Sequence, residues 1–154
     1  MTVSTHWRMA TAHDAGALRD LERVSSSAGL SHVFGDLPYP DDDILVRWVL
    51  VLDDPEVVVE VVEDDAGLVA FTAYDGHSVR HLGVRPEQWG TGLGRAGLAR
   101  AVAAGARSLW VLADNHRARG LYDSLGWAPT GATQKCPWPP CPTELQYAVA
   151  PPVA

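Results

Sequence analysis

The most constraining feature of the sequence is a strand that leads through a glycine-rich turn into a helix. The pattern predicts a strand over residues 78–84 and a helix over residues 92–104. The turn between them holds three glycines at alternate positions, Gly90, Gly92 and Gly94. Glycines allow positive φ and close approach of a ligand, and free N–H groups at a helix N-terminus bind anions. Together with the Arg95 cation in the first helical turn, this segment predicts a phosphate cradle.

The turn differs from a P-loop, and it fits a dinucleotide site only in part. A P-loop needs Gly-Lys-Ser/Thr, whereas Gly94 is followed by Arg95 and Ala96. A Rossmann fingerprint opens the first βα unit of its domain, whereas at least two predicted strands precede this turn. Asp114 does lie 20 residues after Gly94 at a strand end, so spacing alone leaves the dinucleotide alternative open. A helix-capping turn without a ligand is open as well.

Hydrophobic periodicity predicts a mixed α/β protein. Helices are predicted over residues 12–27, 41–52, 92–104 and 115–125. Strands are predicted over residues 8–10, 57–62, 68–74, 78–84, 109–113 and 144–149. A proline-rich loop at 137–142 precedes the last strand. This order predicts helices packed on a mixed sheet, in one domain over residues 1–150 with a frayed tail at 151–154.

The composition favours a globular protein and opposes several functions. A length of 154 residues fits one domain. The net charge of −7 opposes nucleic-acid binding, because phosphate contacts need clustered Lys and Arg. We expect the acidic clusters to form a solvated surface, or else to steer a cationic amine. No apolar run reaches the roughly 18 residues of a membrane span, and no signal-peptide pattern opens the sequence, so a cytoplasmic location is expected.

Two cysteines, Cys136 and Cys141, flank the proline-rich loop. Four intervening residues and no adjacent histidine make a poor zinc site, which usually has four nitrogen or sulfur ligands. A disulfide is not expected in a reducing cytosol. The sequence therefore predicts two ordinary loop cysteines and no metal.

Two segments together resemble the GCN5-related N-acetyltransferase (GNAT) family. Residues 88–94, Gln-Trp-Gly-Thr-Gly-Leu-Gly, resemble that family's acetyl-CoA pyrophosphate loop, a Gln/Arg-x-x-Gly-x-Gly/Ala pattern. Residues 109–113 resemble the strand of its second block. Residues 115–127 resemble the Asn-x-x-Ala-x-x-x-Tyr helix that ends in Gly-Phe, with Trp127 in place of Phe. The resemblance covers residues 78–149.

The resemblance implies an α/β fold with a mixed, splayed β-sheet flanked by helices. Acetyl-CoA would lie as cosubstrate, without a metal, in the V between the strands at 79–84 and 109–113. Backbone groups at Leu82 and Val84 would pair with the pantetheine arm, the glycine turn and Arg95 would hold the pyrophosphate, and Asn115 would contact the arm. The implied cofactor-binding residues are Leu82, Gly83, Val84, Trp89, Gly90, Thr91, Gly92, Leu93, Gly94, Arg95, Asn115 and Tyr122.

The resemblance also implies catalysis by direct attack of an amine on the thioester. Tyr122 would protonate the departing thiolate, and a backbone N–H would stabilise charge on the carbonyl oxygen. No covalent enzyme intermediate is required, so Cys136 is not expected to be a nucleophile. A core aromatic at helical spacing is the other interpretation of Tyr122.

Two positions depart from the family pattern. Trp89 occupies the Gln/Arg position of the loop, and Ser78 occupies the position of a frequent general base. His77 and His81 lie nearby, and histidine titrates in the right range. Strand alternation predicts that His81 lies on the opposite face from Ser78. The base is thus predicted to be Ser78, His77, His81 or a relayed water.

The acceptor and the assembly stay open. The resemblance implies a small-molecule or peptide amine substrate, and it is compatible with a homodimer. A non-catalytic acyl-CoA-binding or sensing domain and a nucleotide-binding domain are the alternatives. Four side chains in or near the second helix are candidates for the acceptor pocket or for the core: His32, Phe34, Tyr39 and Trp48.

Overall fold

A computed structural model describes residues 6–151 as one seven-stranded sheet with helices on both faces. Residues 1–5 and 152–154 lie outside the described part. Most of the predicted tail at 151–154 is therefore not described. The strands are β1 (Arg8–Met9), β2 (Val58–Asp64), β3 (Gly67–Tyr74), β4 (Ser78–Val84), β5 (Ser108–Leu112), β6 (Ala128–Lys135) and β7 (Thr143–Ala148). Their order across the sheet is β1-β2-β3-β4-β5-β7-β6.

Residues 6–151 include five α-helices. They are α1 (Ala15–Gly29), α2 (Ser31–Phe34), α3 (Asp41–Asp53), α4 (Leu93–Ala103) and α5 (His116–Ser124). Two short 3-10 turns, Ala12–Asp14 and Pro86–Gln88, precede α1 and the glycine turn. Within the described ranges, no helix is long and apolar enough to span a bilayer.

Alternation along β3 sorts the core onto the two faces of the sheet. Phe71 and Ala73 pack with residues of α1 and α3, including Leu18 and Trp48. On the other face, Tyr74 belongs to the cluster that includes residues of α4 and α5. We call these the α1–α3 face and the α4–α5 face. The cross-strand partners of β3 on β4 share these faces, so the register fixes where each β4 side chain points.

The central strands part shortly after they begin. β4 and β5 run parallel, but their ladder consists of only two pairs, Ser78 with Ser108 and Val79 with Leu109. The remaining β4 and β5 residues have no ladder partner between those two strands. The predicted splayed, mixed sheet flanked by helices is therefore confirmed.

Two elements were not predicted from the sequence. One is the single-turn helix α2, and the other is β6, in which every residue is exposed. Because β6 has no buried face, it shows none of the period-2 apolar alternation that marks a strand. It forms through backbone pairing with β7 at the sheet edge.

Candidate active site

A cavity of about 1550 Å³ occupies the opening between β4 and β5. Leu82 and Val84 line it from β4, Val111 and Leu112 line it from β5, and Tyr122 lines it from α5. The α1–α2 segment and the proline-rich loop also contribute walls. The two segments that carry the sequence motifs therefore meet at one cavity.

The glycine turn forms an anion cradle at this cavity. Gly90 and Gly92 have φ of 80° and 93°, a region that L side chains rarely adopt. Gly92 is the N-cap of α4, so the first N–H groups of that helix have no helical acceptor and can bind an anion. A Cβ at Gly92 would meet no atom within 4 Å, so the space beside the turn is open. The site fits a pyrophosphate.

The backbone of β4 presents polar groups to the cavity. Arg85 donates its backbone N–H to Val69 O on β3 at 2.7 Å. Because backbone groups alternate in direction along a strand, those of Leu82 and Val84 point to the other edge, toward β5. Gly83 instead pairs with Phe71, and a Cβ at Gly83 would lie 2.5 Å from the Phe71 ring. Gly83 is thus required by packing.

Trp89 links the glycine turn to α5. Its indole Nε1 donates to Val84 O at 2.9 Å, and Ser25 Oγ donates to the same oxygen at 3.0 Å. The guanidinium carbon of Arg117 lies 3.9 Å from the centroid of the Trp89 ring. Trp89 therefore contributes its side chain to the site. Arg117 is a cation that sequence reasoning missed.

Asn115 begins α5. Its side-chain oxygen accepts the backbone N–H of Ala118 at 3.2 Å, which is an N-cap interaction. The cap fixes the amide orientation and leaves the amide nitrogen as a donor. Asn115 lines the cavity, so this donor is placed at its wall.

Tyr122 is a buried phenol whose side chain reaches the cavity. Its ring lies between Trp127 and Tyr147, with centroid distances of 6.1 and 5.9 Å. Burial raises its pKa to about 12, so the hydroxyl stays protonated at neutral pH. Among residues 6–151 the hydroxyl has no hydrogen-bond partner. The ring therefore packs in the core, as the second interpretation predicted, and the hydroxyl is free to donate. The leaving-group role stays a prediction.

His81 lies on the α1–α3 face of β4. Its ring centroid is 5.0 Å from that of Trp48, which is fully buried and packs edge-on against Phe71. Burial, with the nearby cations Arg47 and Arg80, lowers the pKa of His81 to about 3. The imidazole is therefore neutral at physiological pH and is a weak base.

The prediction that Ser78 and His81 lie on opposite faces is wrong. The β3–β4 register shifts so that His81 pairs with Ala73 while Val79 pairs with Tyr74. The extra residue, Arg80, interrupts the alternation as a β-bulge does. Ser78 and His81 therefore share the α1–α3 face.

Ser78 is held by a carboxylate at the start of β4. Its hydroxyl donates to Asp75 Oδ2 at 3.1 Å, and Arg80 Nε donates to the same oxygen at 2.7 Å. Burial favours a higher pKa for Asp75, but backbone N–H groups of His77 and Ser78 and the Arg80 side chain outweigh it and lower that pKa to about 2. Asp75 thus stays ionised and fixes the Ser78 hydroxyl.

Of the four predicted acceptor-pocket residues, one lies in the core, two line the cavity, and His32 is exposed outside both. Trp48 is core, whereas Phe34 and Tyr39 line the cavity. Tyr39 donates to Glu22 Oε2 at 3.0 Å. His32 Nε2 lies 2.7 Å from Asp114 O, and its ring stacks on His116. This contact joins α2 to the turn before α5.

A splayed sheet, an anion cradle after β4 and a free phenol on α5 define a cleft suited to acyl transfer from a phosphate-containing donor. The family model described as the acetyltransferase (GNAT) family matches residues 17–127. The chain belongs to the acetyltransferase (GNAT) family. Acetyl transfer is the class of reaction that this membership supports.

Solved structures share the whole fold at low sequence identity. The apo form of YjaB from Escherichia coli has a TM-score of 0.75 at 20% identity, over 97% of this chain and 99% of that one. YncA from Salmonella typhimurium, solved with its cofactor acetyl-CoA, has a TM-score of 0.65 at 17% identity, over 100% of this chain and 98% of that one. The ribosomal-protein-S18-alanine N-acetyltransferase of Escherichia coli has a TM-score of 0.65 at 18% identity, over 97% and 95%. No curated protein sequence matches the chain significantly.

Proposed function

We propose that the chain is an acetyl-CoA-dependent N-acetyltransferase that moves the acetyl group to an amine of a small molecule or peptide by direct attack. The observation that carries the proposal is the single cavity that joins the glycine cradle to the Tyr122 phenol. A donor with a pyrophosphate and a thioester would contact both. YncA, which shares the fold, was solved with acetyl-CoA.

The chain's own groups have distinct roles in this proposal. The N–H groups at the start of α4, with Arg95, bind the pyrophosphate, and the turn from Trp89 through Gly90, Thr91, Gly92, Leu93 and Gly94 supplies the backbone. Leu82 and Val84 pair with the pantetheine amides, and a free N–H there stabilises charge on the thioester oxygen. Asn115 donates to the cofactor arm. Val84 O already accepts hydrogen bonds from two side chains. The backbone N–H of Val84 is therefore the better group to contact the cofactor.

Tyr122 serves the leaving group. Its pKa of about 12 exceeds that of an ordinary thiol, about 8.5. The phenol therefore acts as a hydrogen-bond donor to the departing sulfur. The proton that the attacking nitrogen loses in the tetrahedral intermediate balances the proton that the thiolate takes up, so the products are an amide and a thiol.

Two side chains, His81 and Ser78, are candidates for removing the proton of the incoming amine. His81 is neutral but too weakly basic to hold that proton at neutral pH. The Ser78 hydroxyl, bonded to ionised Asp75, can pass it to solvent through the cavity. We therefore assign Ser78 to a proton relay. We assign His81 to the part of the cavity wall beside Trp48 that would face the acceptor.

The test is an assay of acetyl transfer to a panel of amines. Thiol release and the mass of the product are measured. The Escherichia coli S18-alanine enzyme acts, by its name, on a protein alanine, so the panel includes peptides with free N-termini. Product heavier by one acetyl group supports the proposal. Binding of acetyl-CoA without transfer to any member supports the non-catalytic acyl-CoA-binding alternative, which the absence of a basic side chain at Ser78 favours. Cytoplasmic location, one domain over residues 1–150 and a homodimer stay predictions.

A further inference from the structure

The charges that line the cavity are mostly neutralised in pairs. Five arginines and two glutamates line it, namely Arg23, Arg47, Arg80, Arg95, Arg117, Glu22 and Glu144. Three of these arginines are paired with carboxylates: Arg23 with Asp41 at 2.6 Å, Arg80 with Asp75 at 2.7 Å, and Arg47 with Glu22. These pairs leave little net charge for a substrate.

Three charges remain, and they lie on three different elements. Arg95 and Arg117 lie at the starts of α4 and α5, where the proposed pyrophosphate site is. Glu144 lies at the start of β7. Across residues 6–151, no Arg, Lys or His nitrogen lies within salt-bridge distance of Glu144. Its contact is with Gln134, whose Nε2 donates at 2.9 Å. Among the described residues, Glu144 is thus the one uncompensated anion of the cavity wall.

Glu144 shares a sheet face with an exposed tryptophan. Leu109 and Val111 are buried on the α4–α5 face, so Trp110 and Leu112 between and after them point to the other face. The register pairs Leu112 with Glu144 and Trp110 with Gln146. Trp110 and Glu144 are therefore diagonal neighbours, within reach of long side chains. Trp110 is 38% exposed, and both residues line the cavity.

We propose that Glu144 and Trp110 form a subsite for a positively charged group of the acceptor, so that the chain prefers amines with a second cationic group to monoamines. A carboxylate next to the face of an indole is the pair of groups that recognises ammonium ions. The inference rests on the proposed N-acetyltransferase function and names the acceptor class for it.

The group of the acceptor that binds at this subsite is a second cationic group, distinct from the nitrogen that attacks the thioester. A nearby carboxylate stabilises an ammonium and raises its pKa. Only the neutral amine can attack the thioester, so a carboxylate beside the attacking nitrogen would slow the reaction. A cation held at Glu144 instead anchors the far end of the acceptor and leaves the near amine free to lose its proton.

The test compares 1,4-diaminobutane with butylamine, which has the same carbon chain and one charge. Glu144→Gln keeps the size and the contact with Gln134 and removes the charge. We expect kcat/KM for the diamine to fall about tenfold, as for a lost hydrogen bond to a charged group, with butylamine unchanged. Trp110→Leu, at an exposed position, should lower the diamine value about threefold. Glu56→Gln, an exposed carboxylate outside the cavity, is the matched control and should change neither.

A second readout separates this inference from the proposed function. Calorimetry measures 1,4-diaminobutane binding to the coenzyme A complex, or to the free protein if no complex forms, in wild type and Glu144→Gln. Weaker diamine binding in the variant supports the subsite even if no amine is acetylated. The lack of acetylation would overturn only the proposed function. Equal binding and an unchanged diamine-to-butylamine ratio overturn the subsite, and acetylation of both amines would then leave the proposed function standing.

Discussion

At the scale of single residues, the site depends on groups whose surroundings restrict what they can do. Tyr122 is buried with a free hydroxyl, and His81 is buried beside two cations. In both, burial favours the neutral form, which makes the phenol a durable donor and the imidazole a poor base. The two residues therefore differ in catalytic value although both lie at the cavity.

Replacing Tyr122 with Phe tests the leaving-group role. The ring packing is kept and only the hydroxyl is lost, so we expect kcat to fall about 10²-fold, as for loss of a general acid. KM for acetyl-CoA should stay unchanged, because the lost interaction belongs to the transition state. Tyr147→Phe removes a hydroxyl from the same cluster but outside the cavity, and it should keep kcat. Full activity in Tyr122→Phe would exclude the role.

The pH dependence tests the weak basicity of His81. Since its pKa is about 3, His81 is neutral throughout the range from pH 5 to 9. We expect kcat/KM to rise with pH toward the pKa of the acceptor amine, with no inflection near the ordinary histidine value of about 6.5. His81→Gln should keep the shape of the profile. An inflection near that value in the wild type, absent from the variant, would show that His81 is the base.

At the scale of elements, β4 carries the site because β3 and β5 pair with it over different lengths. β3 pairs along its length, whereas β5 pairs only at its start, which leaves one edge free. Phe71 on β3 occupies the space where a side chain at Gly83 would lie. The strand that presents the cofactor groups is therefore positioned by close packing against β3.

Gly83→Ala tests this packing. The new Cβ would lie 2.5 Å from the Phe71 ring, so the ring or the strand must shift. Overpacking of this kind costs about 1–3 kcal/mol, and we expect the free energy of unfolding to fall by that amount. Chemical denaturation measures it. Gly120→Ala on α5, where a Cβ meets no atom within 4 Å, is the control and should be neutral or stabilising. Equal stabilities of the two variants would contradict the account.

The local elements of the cleft were predictable, and its far wall was not. The turn at residues 90–94 and the helix from Asn115 have strong local signals in glycine spacing and a capping residue, and both lie where the sequence predicted. β6 has no apolar face, so Gln134 could not be placed beside Glu144. Glu144 lies near Trp110 through the register of β5 with β7, which neither strand's own pattern encodes. The shift at Arg80 depends on how β3 and β4 pair, which no single-strand pattern encodes, and so the faces of Ser78 and His81 were predicted wrongly.

At the scale of the whole molecule, a buried acidic group joins the sheet to a cofactor-side helix. Glu60 on β2 accepts two hydrogen bonds from Arg100 on α4, the shorter at 2.7 Å, and one from Tyr74 on β3 at 2.6 Å. The bonds from Arg100 hold the pKa of Glu60 below its ordinary value of 4.5. The stabilisation is therefore present above that value and is lost as the pH falls through the lowered pKa.

Glu60→Gln tests this contribution. We expect a lower Tm at pH 7, because the charge-assisted bonds to Arg100 are lost. The Tm difference from wild type should shrink as the pH falls from about 4.5 through the lowered pKa of Glu60, because the wild-type carboxylate of the folded state becomes protonated over that range. Glu56→Gln on the exposed turn before β2 is the control. A Tm difference that is constant with pH would show that the ionised form of Glu60 contributes nothing.

The most direct test of the central claim is calorimetric titration of acetyl-CoA, coenzyme A, NAD and ATP into the protein. The account predicts selective binding of acetyl-CoA and coenzyme A, weakened about tenfold or more by Gly92→Leu, which blocks the N–H groups of the cradle. Gly131→Leu, at a positive-φ glycine on β6 with open space, carries a similar backbone strain and should keep binding. Preference for NAD or ATP, no binding by a folded sample, or equal loss in both variants would contradict a coenzyme A site in this cleft.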